Sequence, residues 1–278
     1  MIQQTKTSGW WDVSAKDYYK DHDRVSCSML KDFLGWRPDY RDFYVTKRRE
    51  REETESMKVG KAFHKLLLEP ATFDLEYHCP PDGMNIKRNT KEGKANWEAL
   101  EEDPRILLTT DQRYEIECMK DACHRHEQVN AALKVEGVRE QSFFSECEET
   151  GLLLKGRPDI ALSNGIVLDI KTSSDVSKDA WLRQARSLRY HMQAAFYLDC
   201  LSRFTRAKIF VHVVVGRYEP WPVVVYRLKE RAIENGRLMY QAALKDLAYC
   251  IETDDWSDPA EHGIIEIDFP EWHYRQEG

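Results

Sequence analysis

Asp159, Asp169 and Lys171 are the residues of this chain whose types and spacing best suit chemistry. Asp169 and Lys171 are two apart in the apolar run Ile166-Val-Leu-Asp-Ile-Lys171. On a strand both side chains therefore leave the same face. Asp159 stands ten positions before Asp169, across Asn164-Gly165, the strongest short hairpin signal. The pattern predicts two strands, Leu152 to Leu162 and Ile166 to Lys171, with Asp159 on the first strand or at its end. Two carboxylates and an ammonium then converge. Burying such charges is costly unless they are paired or bind a metal. An Asp–Lys pair on an exposed sheet face is one reading, since surface ion pairs are common and weak. The flanking Val167, Leu168 and Ile170 point instead to a covered strand. Hard oxygen ligands suit Mg²⁺ or Mn²⁺, and a lysine beside metal-bound water suits phosphodiester hydrolysis.

The elements that must position these groups are legible on either side. Ser26 or Ser28 caps a short helix through Phe33. Pro38 opens another helix, expected to run to Lys47-Arg48-Arg49-Glu-Arg51. Six basic residues lie between Arg37 and Arg51, interleaved with Tyr40, Phe43 and Tyr44. They form either a solvated helix end, part-neutralised by Glu50, Glu52 and Glu53, or a phosphate-contacting edge with Arg48 and Arg49 as candidates. Thr54 to Glu69 reads as a helix stopped by Pro70, with Met57, Gly60, His64 and Leu67 on one face. His64 is then a hydrogen-bonded core histidine or a ligand, and Gly60 lets a backbone or a substrate come close.

Residues 71–110 read as variable, with a turn at Pro80-Pro81-Asp82-Gly83 and a basic loop Lys87-Arg-Asn-Thr-Lys91. Asp111 is expected to cap one long helix through about Leu133. Gln141 to Glu148 reads as a strand, with Glu140 at its start, and Glu149-Thr-Gly151 turns it into the next. Ala180 to Ser187 reads as a short helix, and Arg183, Arg186 and Arg189 recur every three residues along one edge; Arg183, Arg186 and Arg157 are further candidates for DNA contact. Tyr190 to Arg203 is a helix that makes Gln193 and Tyr197 neighbours at i, i+4. Strands at Ala207–Gly216 and Trp221–Leu228 and a helix from Lys229 to Cys250 follow. Residues 1–25 are expected as an irregular arm packed on the body, and 251–278 as an acidic, aromatic tail packed on the surface or on a neighbouring subunit.

The 278 residues are 42% hydrophobic and 32% charged, enough for one large domain or two small ones with a real core. A net charge of -7 does not advertise a nucleic-acid binder, but it bears on solubility more than on a local groove. No run has the length of a membrane span and no signal-peptide core follows Met1, so no membrane association is expected. The seven cysteines are scattered without a C-x-x-C pair, as in a reduced cytoplasmic protein. Their spacing argues against an iron–sulfur cluster.

Pro158-Asp159, then Asp169-Ile170-Lys171, resembles the core motif of the PD-(D/E)XK nuclease superfamily. Gln193-Ala-Ala-Phe-Tyr197 is similar to the Gln-x-x-x-Tyr motif of its RecB-like and lambda-exonuclease-like branch. Gly60-Lys-Ala-Phe-His64 through Pro70 is similar to the histidine helix of RecE-type exonucleases (exodeoxyribonuclease VIII), and Ser26-Cys-Ser-Met-Leu-Lys-Asp-Phe33 to the start of that domain. The resemblance covers about residues 26 to 250. It implies a restriction-endonuclease-like α/β core with a mixed central sheet flanked by helices, plus a helical N-terminal extension. One domain is expected over 1–278: a mainly helical part to 135, the nuclease core over 136–250, and the tail. It further implies Mg²⁺, with Mn²⁺ as substitute, held by His64, Asp159, Asp169, the Ile170 carbonyl and a glutamate, Glu140 with Glu146 as alternate. Lys171, Gln193 and Tyr197 would act on the scissile phosphate or the attacking water. The implied activity is 5′-to-3′ digestion of linear double-stranded DNA from its ends, in phage or prophage recombination. A ring-shaped trimer or tetramer and a single-strand-annealing partner go with it. A structure- or site-specific endonuclease on the same core, and a non-enzymatic DNA-binding protein on a nuclease fold, are the alternatives.

Overall fold

The computed structural model describes residues 8–50, 52–81, 83–258 and 263–268. Arg51 of the basic stretch, Asp82 of the expected turn, residues 1–7 of the arm, and 259–262 and 269–278 of the tail lie outside the described residues. In chain order come β1 (Gly9–Trp11), α1 (Ala15–Lys20), β2 (Val25–Ser26), α2 (Cys27–Phe33), α3 (Arg37–Tyr40), a π-helical turn (Arg41–Val45), α4 (Glu55–Leu68), a short 3-10 turn (Pro70–Thr72), α5 (Phe73–Glu76), β3 (Tyr77–His78), α6 (Lys91–Glu101) and β4 (Ile106–Leu107). Then follow α7 (Thr110–Arg125), α8 (Glu127–Lys134), β5 (Gly137–Arg139), β6 (Ser142–Glu146), β7 (Leu153–Gly156), β8 (Ile160–Leu162), β9 (Ile166–Ser173), α9 (Lys178–Ser187), α10 (Tyr190–Ser202), β10 (Ile209–Gly216), β11 (Val223–Tyr226) and α11 (Glu230–Thr253).

The hairpin forms as its turn residues dictate. Gly165 has φ +89, and a Cβ there would meet the Arg206 carbonyl oxygen at 2.4 Å, so glycine is required. β8 and β9 are antiparallel with Ile160 opposite Leu168. They belong to a five-stranded mixed sheet, order β11-β10-β9-β8-β5, in which β9 and β10 are parallel. A second mixed sheet has the order β1-β6-β7-β2.

The segment Leu152 to Leu162, expected as one strand, is two. β7 lies in the four-stranded sheet and β8 in the five-stranded one, and the chain crosses between them at Arg157-Pro158-Asp159. Pro158 has no N–H to give a ladder, which suits it to the break. The partner strand crosses at the same level. β5 pairs with β8 and β6 with β7, and between β5 and β6 Glu140 takes φ +45. The Glu140 N–H donates to the Asp159 carbonyl at 3.1 Å, tying the two crossings together. Glu140 and Asp159 thus both stand where a bent two-stranded ribbon passes from sheet to sheet.

Helices cover both faces of the five-stranded sheet. Leu168, Ile170, Val213 and Val215 join a core with Val59, Phe63 and Leu66 of α4 and Ile116 and Met119 of α7. Val167 and Phe210 join the opposite core with α2, α10 and α11. The mixed α/β architecture with flanking helices is therefore present, with its strands divided between two main sheets. Among the described residues no helix is long and apolar enough to cross a membrane.

Several boundaries differ from the sequence reading. The helix expected from Pro38 to Arg51 is α3 run into the π-helical turn. It ends by Lys47, which has φ +54, and Pro38 is its second residue. In α4 the buried face is Val59, Ala62, Phe63, Leu66 and Leu67, while Met57 is 47% exposed. Residues 71–110, read as variable, hold α5, β3, α6 and β4. Thr109, not Asp111, caps α7 in a capping box with Gln112. The long helix then breaks at His126, which caps α8. Among its described residues the N-terminal arm holds regular elements, with β1 antiparallel to β6. Buried Lys155 holds the arm by donating to the Tyr18 carbonyl at 2.5 Å and to the Asp21 carbonyl. The start of the tail packs on the body, where Trp256 stacks on Tyr40.

Candidate active site

Asp159 directly precedes β8, one pair beyond the last paired residues of β8 and β9. With no β8 backbone left to pair, the Ile170 N–H donates to Asp159 Oδ2 at 2.5 Å. On a strand the N–H and C=O of one residue leave the same edge. The Ile170 carbonyl therefore also faces the open end of β8.

Three groups gather here. His64 Nδ1, from α4, lies 3.5 Å from Asp159 Oδ1 and 3.6 Å from Glu140 Oε1. One potential ligand atom from each of His64, Glu140 and Asp159 lies within 4.8 Å of the others. Burial by itself would lower the His64 pKa, but Asp159 and Glu140 outweigh it and push it up to about 10. Burial would likewise raise the Asp159 pKa; His64, Lys171 and the Ile170 N–H prevail and hold it low.

Asp169 and Lys171 leave β9 on the face away from α4. Asp169 is 2% exposed. Its Oδ1 accepts from Lys171 Nζ at 2.8 Å and from Gln193 Nε2, on α10, at 2.9 Å. Its Oδ2 lies 2.7 Å from the same ammonium, so Lys171 straddles both oxygens of the carboxylate. Lys171 Nζ sits 5.2 Å from the centre of the Tyr190 ring. Burial would lower the Lys171 pKa, but Asp169 and Asp159 outweigh it and raise it.

The other expected residues fall elsewhere. Tyr197 neighbours Gln193 on α10 but points into the core. Its hydroxyl donates to the Arg157 carbonyl at 3.3 Å, and its ring meets Phe143 and Phe210. Burial raises its pKa well above the ordinary value, so the hydroxyl keeps its proton. Glu146 ends β6 opposite Leu153, at the far end from Glu140. Arg157 is turned inward: Nε lies 3.3 Å from Glu140 Oε2, and Nη1 donates to the Val13 carbonyl and Ser142 Oγ. It braces Glu140. Arg49 pairs with Asp39 at 2.5 Å and lines an open recess of about 540 Å³ with Phe43, Glu50, Glu52 and Met57, none of them in the acidic cluster. Arg48, Arg183 and Arg186 are exposed. Arg189 caps carbonyls of α2, at Lys31 and Leu34.

One group at the site went unread in the sequence. Lys31 of α2 donates from Nζ to Gln193 Oε1 at 3.2 Å and lies 5.1 Å from the Tyr190 ring centre. Its position in the Ser26-to-Phe33 segment was the available signal.

A hard divalent ion prefers carboxylate and carbonyl oxygens, and a neutral imidazole nitrogen can complete its shell. His64 Nδ1, Glu140 Oε1 and Asp159 Oδ1 converge, and buried Asp169 Oδ2 faces only the Lys171 ammonium. These residues fit such an ion.

Comparison with known proteins bears on the family and the fold. A PDDEXK-like domain of unknown function (DUF3799) matches residues 26–266. No curated protein matches the chain. Among solved structures, a Eubacterium rectale protein described as a candidate exonuclease aligns over 94% of this chain and 97% of its own, with TM-score 0.63 and 13% identity. A phage-related exonuclease of Haemophilus somnus 129PT covers 63% of this chain and 91% of its own, with TM-score 0.34 and 13% identity. At these identities the first likeness speaks to the fold alone, and the second adds nothing to it.

Proposed function

From the premise that the chain belongs to the PDDEXK-like family DUF3799, we propose that it is a divalent-metal-dependent deoxyribonuclease, a RecE-type exonuclease acting on linear double-stranded DNA. The observation that supports this is the convergence of His64, Glu140 and Asp159 beside the buried Asp169–Lys171 pair. In this reading His64, Glu140, Asp159, Asp169 Oδ2 and the Ile170 carbonyl hold Mg²⁺, with Mn²⁺ as substitute. The ion supplies Lewis-acid activation of the phosphodiester and of water.

The chain's own residues then divide the work. His64 gives up its Nδ1 proton to offer a lone pair, while Asp159 is already ionised. Lys171 keeps its proton, because the two aspartates raise its pKa. It therefore serves as a fixed positive charge for the phosphorane oxygens, not as a base. Gln193 and Lys171 together hold Asp169 Oδ1, which aims Oδ2. Arg157 holds Glu140 against the cluster.

Digestion from the 5′ end, a ring trimer or tetramer, a single-strand-annealing recombination partner and a cytoplasmic setting in a bacterial or phage-infected cell belong to the same proposal. So does the action of the whole chain as one nuclease domain. Exposed Arg48, Arg183 and Arg186 would meet DNA phosphates. The test is incubation with end-labelled linear and closed circular duplex, with Mg²⁺ and with chelator. Mg²⁺-dependent release of mononucleotides from linear DNA alone is expected. Cutting of closed circles would replace the exonuclease with an endonuclease, and no cutting in Mg²⁺ or Mn²⁺ would remove the enzyme reading.

A further inference from the structure

We propose that Lys31 is a positioning residue that locks the side-chain amide of Gln193 in the one orientation that donates to Asp169 Oδ1 and so fixes the carboxylate plane. This rests on the nuclease reading above for its consequence, though not for its geometry. An ammonium has donors and no acceptor. Lys31 Nζ, 3.2 Å from Gln193, can therefore face only the amide oxygen. The amide nitrogen must then point the other way, and it donates to Asp169 Oδ1 at 2.9 Å. Rotating the amide by half a turn would set N–H against ammonium and oxygen against carboxylate, two repulsions in place of two bonds.

Lys31 is itself held. Ser26 caps α2 by accepting from the Met29 N–H. Arg189 binds the Lys31 and Leu34 carbonyls from the start of α10. The next residue, Tyr190, places its ring within 5.1 Å of Lys31 Nζ and 5.2 Å of Lys171 Nζ. α2 and α10 are thus joined so that the helix bearing Lys31 cannot drift from the helix bearing Gln193. Asp169 Oδ1 takes two donors, and Oδ2 faces the Lys171 ammonium alone, at 2.7 Å.

The experiment compares Lys31→Met, Lys31→Arg, Gln193→Ala and the double variant Lys31→Met/Gln193→Ala. Their kcat and KM are measured on linear duplex, with melting temperature as the folding control. The Gln193 amide protons are followed in a ¹⁵N–¹H spectrum of the metal-free protein, assigned by their absence in Gln193→Ala. Lys31→Met should lower kcat by roughly 10- to 100-fold, the usual cost of losing a group that orients a ligand, with KM little changed. Lys31→Arg should restore most of the rate. Lys31→Met should cost nothing further in the Gln193→Ala background, because the two act as one unit. The Gln193 amide pair should shift in Lys31→Met and return in Lys31→Arg. Additive losses, or a raised KM with kcat retained, would make Lys31 a DNA contact and overturn the proposal. So would an unmoved Gln193 amide pair. If the wild type cuts no DNA, the nuclease reading falls and the spectrum still decides the orientation.

Discussion

Replacing Tyr197 by Phe separates two roles that the Gln-x-x-x-Tyr motif leaves open. The side chain is 8% exposed, and its hydroxyl's bond is to the Arg157 carbonyl, two residues before Asp159. Phenylalanine keeps the ring against Phe143 and Phe210, so no large cavity forms. The change leaves one carbonyl unpaired, which costs about 1–3 kcal/mol in general. The bond is long at 3.3 Å, so the lower end applies. Unfolding entropy near roughly 2.1 cal/mol/K per residue, taken over 278 residues, is about 0.6 kcal/mol/K. A loss of about 1 kcal/mol therefore lowers Tm by about 2 °C. Activity per folded molecule should stay within about threefold of wild type, since less than about 1 kcal/mol reaches the barrier. Calorimetry and single-turnover cleavage measure the two effects on one preparation. A catalytic hydroxyl would instead cost roughly 10² to 10⁴ in rate. Such a loss with Tm unchanged would refute the anchoring role and restore Tyr197 to the chemistry.

Asp159→Asn, Asp169→Asn and Glu140→Gln should each abolish Mg²⁺-dependent cleavage with the fold retained by circular dichroism, whereas Glu146→Gln should cut like wild type; the reverse result for the two glutamates would move the metal site. Mg²⁺ or Mn²⁺ at about 100 times its dissociation constant should stabilise wild type by about 2.7 kcal/mol, and this shift should vanish in Asp159→Asn; an equal shift in both would mean the ion binds elsewhere. His64→Ala should melt within a few degrees of wild type, since its side chain is 23% exposed, and should be nearly inactive in Mg²⁺ with partial rescue by Mn²⁺; a large Tm drop with preserved activity would make it a core histidine. His212 is fully buried among Trp181, Tyr190 and Phe210, with no partner among the described residues for either ring nitrogen, and burial lowers its pKa to about 4. The unfolded chain takes up this proton first, so stability should fall as pH drops from about 6.5 through about 4, by about 3 kcal/mol in all. Urea unfolding across that window should show the slope reduced in His212→Leu, and an unchanged slope would assign it to other groups.

The parts legible in the sequence were those encoded by neighbours along the chain. Asn164-Gly165 sets a turn whatever surrounds it, because only that backbone can take the required φ. Ser26 and Thr54 cap their helices through an N–H three residues on. Strand alternation alone places Asp169 and Lys171 on one face. With the motif resemblance these sufficed for the fold class. What tertiary structure decided was how groups far apart in the chain share their bonds. The crossing from β7 to β8 was hidden because both halves are apolar and each buries its residues in a different sheet. Hydrophobic burial has no direction, so pattern cannot say which sheet receives a strand. Glu140 reaches the cluster only through a positive φ at the partner crossing, while Glu146, similar in sequence context, is carried away along β6. Gln193 and Tyr197 are neighbours on one helix, yet one faces Asp169 and the other the core. Met57 was placed on the inner face of α4 by periodicity, but it lies on the turn that the core does not cover. Which oxygen of Asp169 takes the Gln193 amide depends on two lysines and a glutamine from three separate elements. Only packing brings those donors together, since each hydrogen bond exists only after the helices that carry it have docked.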